Sequence, residues 1–221
     1  MKATIAALML AVGTASAGVA NAQPGRRPGL EAGVRVKTAG SIRFDDAPAN
    51  LTTADGRPFA LFTLSNSLSL EVGIEGHVSV PLNGALRVEG AVSVARPTLR
   101  SRISGDAEGA DSVTVSDRLT RLSAEAALVV LIHPGSKHVW FVRAGGGSTR
   151  GLTSDGGLLA KGTVATVGAG VKYWLRGGAH QRGGLGVDAE GRAVARWQGL
   201  ALDTGRLHVV PAAVAGLFFG F

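Results

Sequence analysis

The chain has 221 residues, a formal net charge of +7, 33 glycines and no cysteine. This length fits one domain, and the lack of cysteine excludes a disulfide framework and a cysteine-linked lipid anchor. The many Gly, Val, Ala, Leu, Ser and Thr residues favour strands and turns over helices. Beyond the amino-terminal segment, no run approaches the roughly 18 apolar residues of a membrane-spanning helix. Any membrane insertion must then use a closed sheet, because only helices and closed barrels satisfy their backbone polar groups in lipid.

The first 22 residues are typical of a secretory signal peptide. Lys2 supplies a positive start, residues 3–12 form a short apolar core, and we favour cleavage at a small-residue site after Ala22. Residues 23–28 are then a periplasmic tail, and residues 29–221 form a single domain. A buried amino-terminal helix is the alternative, but nothing downstream offers it a helical partner. Export also argues against a nucleic-acid partner, which a pI of about 10.7 would otherwise indicate.

Eight alternating segments follow along the chain. We predict strands at about 29–39, 65–82, 85–101, 117–132, 138–149, 161–176, 184–198 and 206–221. Asn83-Gly84 is a strong hairpin signal between the second and third strands, and residues 133–137 form a short turn. Long polar connections follow the first, third and fifth strands. Alternating long and short connections predict an up-and-down meander with short periplasmic turns, longer outer loops and both termini in the periplasm.

Each segment has one apolar and one charged face. In the first strand, Val34 and Val36 lie opposite Arg35 and Lys37. In a membrane barrel the apolar face contacts lipid and the charged face lines the lumen, whereas a soluble lipocalin-type barrel has the reverse assignment. We favour the membrane barrel because of the signal peptide, the asymmetry of the connections and the last strand. The aromatic fraction of 5% is low for a barrel with full aromatic girdles and counts against it.

The last strand is unusually apolar on one face, which carries Leu217, Phe219 and Phe221. Small or polar groups dominate the other face, namely His208, Ala212, Gly216 and Gly220. Pro211 removes a ladder donor from a strand that must be paired on both sides, so we expect a bulge or kink there.

This ending, a terminal Phe after apolar residues at alternate positions, resembles the closing strand of bacterial outer-membrane β-barrels. The chain is similar to small barrels of the OmpA/OmpX/OmpW type over residues 29–221, as a pattern of strands. The resemblance implies an all-β fold, an eight-stranded antiparallel up-and-down transmembrane β-barrel in the bacterial outer membrane. It also implies that Leu217, Phe219 and Phe221 are the signal read by the barrel-assembly machinery.

The charged faces predict a lumen filled by ion pairs. Eight strands leave an interior just filled by side chains, and ions buried there must be paired. We expect Arg87 to meet Glu71 or Glu75 across the hairpin, and Arg35 and Lys37 to meet acids of the second or seventh strand. The predicted network contains Glu31, Arg35, Lys37, Glu71, Glu75, Arg87, Glu89, Glu125, Arg143, Lys172, Asp188, Glu190 and Arg192.

Arginines near the outer strand ends are candidates for binding lipopolysaccharide phosphates through charge-assisted hydrogen bonds. The alternative, ordinary solvated loop charge, stays open. The candidates are Arg96, Arg100, Arg102, Arg118, Arg121 and Arg196.

The sequence offers no catalytic, cofactor or metal site. None of the five histidines has metal-ligand spacing, and the Gly-rich runs lack the Lys-Ser/Thr of a phosphate loop. His77-Val78-Ser79 resembles the His-x-Ser pair of outer-membrane lipid A deacylases, which are also eight-stranded barrels. In that family the pair faces lipid and is joined by a carboxylate, whereas here we expect both side chains to point into the lumen.

The leading hypothesis is a non-enzymatic, monomeric outer-membrane protein. Its role is structural, adhesive or one of envelope integrity, exerted by outer loops that meet outer-membrane lipid and lipopolysaccharide. A second hypothesis is a narrow porin-like channel for small solutes or hydrophobic compounds. The third and least favoured is a lipid A-modifying barrel enzyme.

Overall fold

The computed structural model describes residues 29–44, 46–52, 55–105, 111–153, 157–176, 184–198 and 207–221. The predicted signal peptide and periplasmic tail, residues 1–28, lie outside the described residues. In the described ranges, no helix has the length and apolar character needed to cross a membrane.

Strands make up almost all of the described structure. In chain order they are β1 (Glu31–Ala39), β2 (Ile42–Arg43), β3 (Ala47–Thr52), β4 (Pro58–Leu68), β5 (Glu71–Pro81), β6 (Leu86–Ala95), β7 (Thr98–Ser104), β8 (Val113–Arg118), β9 (Thr120–Ile132), β10 (His138–Leu152), β11 (Leu158–Arg176), β12 (Gly184–Gln198) and β13 (Leu207–Gly220).

Eight of these strands close into an antiparallel barrel, in the order β1-β13-β12-β11-β10-β9-β6-β5. β1 closes the ring by pairing β13 on one side, with Val34 opposite Leu217, and β5 on the other, with Arg35 opposite Glu75. The predicted eight-stranded antiparallel barrel is therefore confirmed. We call the end where β1 begins and β13 ends the terminus end, and the opposite end the sheet end.

The polar stretches predicted as long loops after the first and third strands contain a second sheet instead. It joins β2, β4, β7 and β8 in that order, and β3 also pairs with β4. The predicted second strand, 65–82, is divided between β4 and β5, and the predicted third, 85–101, between β6 and β7. This sheet forms because apolar residues of β4 and β7 share rungs, such as Leu68 with Leu99 and Leu64 with Ile103.

Two connections differ from the predicted turns. The hairpin at Asn83 is present, but its loop spans residues 82–85, and the Asn83 side-chain oxygen accepts hydrogen bonds from the Ala85 and Leu86 amides at 2.9 and 2.7 Å. The side chain thus binds the Ala85 amide that would donate across a two-residue turn, while the Leu82 and Asn83 amides donate to the Leu86 carbonyl oxygen at 2.8 and 3.1 Å. The connection predicted to be long after the fifth strand is only residues 153–157, because β10 and β11 both extend toward it.

The outer surface of the barrel is apolar. Side chains such as Val36, Ile74 and Val92 are exposed, while the alternate positions face inward and are buried. Among the described residues, the large aromatic side chains on this surface lie near its two rims: Trp140, Tyr173, Phe219 and Phe221 at the terminus end, and Trp197 at the sheet end. An apolar band with aromatic residues at its borders is typical of barrels that span a membrane.

Apolar side chains pack in the lumen at both ends, whereas the sequence predicted a lumen filled by ion pairs. The terminus-end layer consists of Val129, Leu131, Val139, Phe141, Trp174 and Phe218. The sheet-end layer combines barrel residues Ala39, Val164, Val194, Val210 and Ala212 with Ile42, Phe44, Leu68 and Leu119 of the second sheet and its connections. The second sheet therefore packs its apolar side into the mouth of the barrel.

Pro211 causes no bulge, contrary to expectation. The β12–β13 register runs without a shift through Ala193 opposite Pro211, and the β1–β13 register is unbroken up to Ala212. The Pro211 carbonyl accepts a hydrogen bond from the Gly40 amide at 2.8 Å, just beyond the end of β1. In an antiparallel ladder, the N–H and C=O of one residue point toward the same neighbour. The missing donor therefore falls at the end of the β1–β13 ladder, where its loss disrupts least.

Gly186 provides a test of the terminus-end layer. A Cβ atom there would lie 2.3 Å from Phe218 Cζ and 2.8 Å from the Tyr173 carbonyl oxygen. Gly186→Ala should therefore lower stability by about 1–3 kcal/mol through overpacking. The measurement is the temperature at which the folded form on an unheated gel converts to the unfolded form. Gly191→Ala on the same strand, where a Cβ would meet nothing within 4 Å, is the control, and equal shifts in both variants would contradict the packing.

Candidate functional site

The middle of the lumen contains a layer of buried charges. All thirteen residues predicted to form the network point inward, are buried and take part in ion pairs. Their alternation with apolar positions along each strand sets this placement, because successive side chains of a strand face opposite sides of the sheet. The pairs form one central cluster and two smaller triads.

The central cluster is built around Arg35 and Glu75, and Glu75 is fully buried (0% exposed). Arg35 lies 2.6 Å from Asp188, 3.0 Å from Glu89 and 3.4 Å from Glu75. These partners include acids of the predicted second and seventh strands, as expected. Glu75 accepts two hydrogen bonds from Arg192, both at 2.9 Å. The remaining members are Lys37, Glu125, Arg143 and Glu190.

A triad near the terminus end joins Glu31 to Arg87, at 3.2 Å, and to Lys172. The expected pairing of Arg87 with Glu71 or Glu75 is therefore wrong. In the β5–β6 ladder Arg87 lies opposite Pro81, so its guanidinium reaches Ser79, to which Nε donates a hydrogen bond at 2.9 Å. Glu71 and Glu75 lie nearer the sheet end of β5, beyond its reach.

The second triad, near the sheet end, joins Glu71 to Arg121 at 2.6 Å and to Arg196 at 3.0 Å. Both arginines were candidates for binding lipopolysaccharide at the outer strand ends, and their burial contradicts that placement. They are 6% and 4% exposed and face the lumen. The alternation of their own strands shows this, because Arg121 shares the face of Glu125, and Arg196 shares that of Arg192.

The charges of the layer nearly balance. With Arg121 and Arg196 included, the buried set among the described residues has eight bases and seven acids. The central cluster has one more acid than bases, and each triad has one more base than acids. Together with the two apolar layers, this arrangement places paired ions and packed side chains along the described lumen.

The His77–Ser79 pair also faces the lumen, as expected. His77 is 3% exposed and packs against Gly33, the position opposite it on β1. Ser79 is fully buried and its hydroxyl accepts the hydrogen bond from Arg87. Neither side chain lies on the lipid-facing surface, where the deacylase pair is found. Among the described residues, no group of three or more His, Asp or Glu side chains is arranged to hold a metal ion.

The other four predicted arginines, Arg96, Arg100, Arg102 and Arg118, are exposed. The last three lie on one face of the second sheet, together with Arg43, which is not among the predicted arginines. One rung of this face reads Arg43, Ser67, Arg100, Ser116. The neighbouring rungs place Ser65, Arg102 and Thr114 on one side and Thr98 and Arg118 on the other. We call Arg43, Arg100, Arg102 and Arg118 the arginine face.

Glu75→Gln tests the central cluster. The change removes the charge that Arg35, Lys37 and Arg192 share, and breaking a buried pair costs about 3–5 kcal/mol. The gel conversion temperature should therefore fall. Asp46→Asn is the control, because Asp46 is exposed and accepts a hydrogen bond only from Ser65 among the contacts in the described residues. A Glu75→Gln protein as stable as this control would contradict the network.

Comparison with known proteins identifies the fold. No protein-family model and no curated protein matches the sequence. The outer membrane protein OprG of Pseudomonas aeruginosa is similar in structure, with a TM-score of 0.51 and 11% identity over 89% of this chain and 97% of OprG.

Two further solved structures are similar over most of their lengths. One is Ail, the attachment invasion locus protein of Yersinia pestis, solved with the heparin analogue sucrose octasulfate (TM-score 0.39, 16% identity, 87% of this chain and 99% of Ail). The other is the beta domain of the Bordetella autotransporter BrkA (TM-score 0.41, 10% identity, 87% of this chain and all of that domain). With its closed barrel of eight antiparallel strands, the chain has the fold of the small outer-membrane β-barrel proteins.

Proposed function

We propose that this chain is a non-enzymatic integral outer-membrane protein with a closed lumen and a structural or surface-interaction role. The observation that carries the proposal is the filled interior. The terminus-end apolar layer, the ionic layer and the sheet-end apolar layer follow one another along the barrel axis. A water-filled channel needs a polar, open interior, so activity is expected on the outside of the barrel.

The apolar outer surface supports insertion into the outer membrane. The connections at the sheet end include the second sheet, whereas the turns at 82–85 and 133–137 are short. Short turns on the periplasmic side and longer connections outside are the rule in such barrels. We therefore propose that the sheet end faces the cell exterior and both termini face the periplasm.

The arginine face is the proposed interaction surface. It continues the lipid-facing side of β6 and β9 past the apolar band. Toward the sheet end, Arg96 lies beyond Val94 and Arg118 lies beyond Leu122, each at an alternate position of the chain. Arginines that lie just beyond a lipid-facing band are at the height of anionic head groups. Guanidinium groups interspersed with hydroxyls bind phosphate through charge-assisted hydrogen bonds. The proposed ligand is the phosphate-bearing part of lipopolysaccharide.

The absence of catalysis and the mode of assembly are also part of the proposal. Burial of His77 and Ser79 in the lumen supports a non-enzymatic role. Leu217, Phe219 and Phe221 are exposed, and we retain them as the stretch that the barrel-assembly machinery reads. A barrel whose ladder closes on itself needs no partner strand, which supports a monomer.

Planar-bilayer recording tests the closed lumen. The purified full chain should show no stepwise single-channel conductance, because the buried ion pairs and apolar layers of the described lumen oppose the passage of hydrated ions. Folding of the protein used for the recording is verified by the difference in gel mobility between unheated and boiled samples. Reproducible conductance steps from the wild-type chain would overturn the proposal and favour a narrow channel.

Lipopolysaccharide titration tests the arginine face. The triple variant Arg100→Gln, Arg102→Gln, Arg118→Gln should bind lipopolysaccharide more weakly, by about 1 kcal/mol for each arginine. Added salt should reduce the difference, since it screens exposed charges. Lys137→Gln is the control, because Lys137 is exposed at the terminus end. Unchanged affinity in the triple variant would contradict the proposed surface.

A further inference from the structure

The outer surface of the barrel carries very few charges. Among the described residues that face outward on the eight barrel strands, the charged ones are Arg150 on β10, Lys161 on β11 and Arg176 at the terminus end of β11. Arg150 and Lys161 are exposed and lie directly opposite each other in the β10–β11 ladder, near the sheet end. Like charges at directly opposite positions repel each other. No outward-facing acid in the described barrel strands offsets them.

We propose that Arg150 and Lys161 together bind a phosphate group of an acylated glycolipid in the outer leaflet. A phosphate monoester carries about −1.5 to −2 charges at neutral pH. Placed between the two cations, it converts their repulsion into two charge-assisted hydrogen bonds. The inference rests on the proposed function, because it requires the barrel to span the outer membrane with its sheet end outward.

The neighbouring rung suits the sugar to which such a phosphate is attached. One step toward the middle of the barrel, Ser148 lies opposite Thr163, and Thr163 lies opposite Trp197. All three face outward by the alternation of their strands. The two hydroxyls donate and accept hydrogen bonds, and an indole has an apolar ring with one polar N–H, which suits the membrane interface. From the rim inward, the cations would therefore contact the phosphate and the hydroxyl and indole groups would contact the sugar of a glycolipid.

The outer surface next to the hydroxyl rung, toward the middle of the barrel, consists of small apolar residues. The next rung places Gly146, Ala165 and Ala195 side by side. Small side chains let an acyl chain approach the backbone of the wall. Such a strip is no binding site by itself, but here it starts directly below the cations and the hydroxyl rung. It thus continues the site in the direction in which the acyl chains of a bound glycolipid would run.

The location also separates this site from the arginine face. The second sheet extends the wall formed by β1, β5, β6 and β9, whereas β10 and β11 are joined by residues 153–157 alone. Glycolipid can therefore reach the rim of the β10–β11 wall without meeting the second sheet. The two surfaces can be tested independently because they share no residue.

The test is a titration of detergent-solubilised full chain with diphosphoryl lipid A, in the background Arg100→Gln, Arg102→Gln, Arg118→Gln. Arg150→Gln or Lys161→Gln should weaken binding about tenfold, and the double change about a hundredfold, as expected for charged hydrogen bonds. Dephosphorylated lipid A should bind as weakly as diphosphoryl lipid A binds the double variant. Arg176→Gln, a matched change on the same outer surface at the other end, should leave affinity unchanged.

Three results would overturn the inference: full affinity in the double variant, equal binding of dephosphorylated lipid A, or an equal loss in Arg176→Gln. Inorganic phosphate should not displace the lipid at matched phosphate concentration, and if it did, the site would be one for free phosphate. The orientation is checked separately. The chain has no cysteine, so Ser112→Cys should react with an impermeant maleimide on intact cells, and Ser136→Cys only after permeabilisation.

The cysteine labelling distinguishes failure of this lipid site from failure of the proposed function. The expected pattern combined with unchanged lipid affinity would remove this site alone and leave the proposed function standing. A reversed pattern would overturn the proposed orientation and, with it, this inference.

Discussion

The narrow interior of an eight-stranded barrel governs this structure. Every second side chain points inward, and the space is only just large enough to hold them. A charge placed there is out of contact with water and must be paired, because an isolated buried ion costs several kcal/mol. Glu75 meets three bases and Arg35 meets three acids. Each partner is thus held by several others, and the apolar layers on both sides exclude water, which strengthens the pairs.

Alternation along single strands predicted much of this interior. On β1 and β5 the charged residues alternate along the strand with valines and an isoleucine, so the charges face inward when the apolar residues face outward. The same rule places Arg121 and Arg196 inside, because they have the parity of Glu125 and Arg192, although both lie near strand ends. Phe218 has the parity of Gly216, and Trp174 has that of Lys172, so the terminus-end layer was also present in the pattern. Small residues flank Phe218 on its face, and the charged Lys172 precedes Trp174 on the other, so neither face has a continuous apolar run.

Pairing between distant strands was beyond reach from the sequence. β4 and β7 are separated by two barrel strands in the chain, and their ladder depends on Leu64 and Leu68 meeting Ile103 and Leu99. The hydrophobic alternation within a single strand does not specify which distant strand it pairs with. The registers of β5 on β6 and on β1 likewise place Arg87 close to Ser79 and Glu31. Alternation predicts the face of a residue, whereas its partner depends on height along the barrel, which only the assembled ladder defines.

The second sheet links the closed lumen to the outer surface. Its inner face contributes Ile42, Phe44 and Leu68 to the sheet-end layer, where they pack with Val210 and other barrel residues. A sheet has two faces, so packing one of them into the barrel mouth leaves the other outward. The arginine face is therefore oriented by the same apolar contacts that close the lumen. Loss of the sheet-end layer would remove both the packing in the barrel mouth and the orientation of the second sheet, so the proposed surface role depends on the apolar contacts inside the barrel.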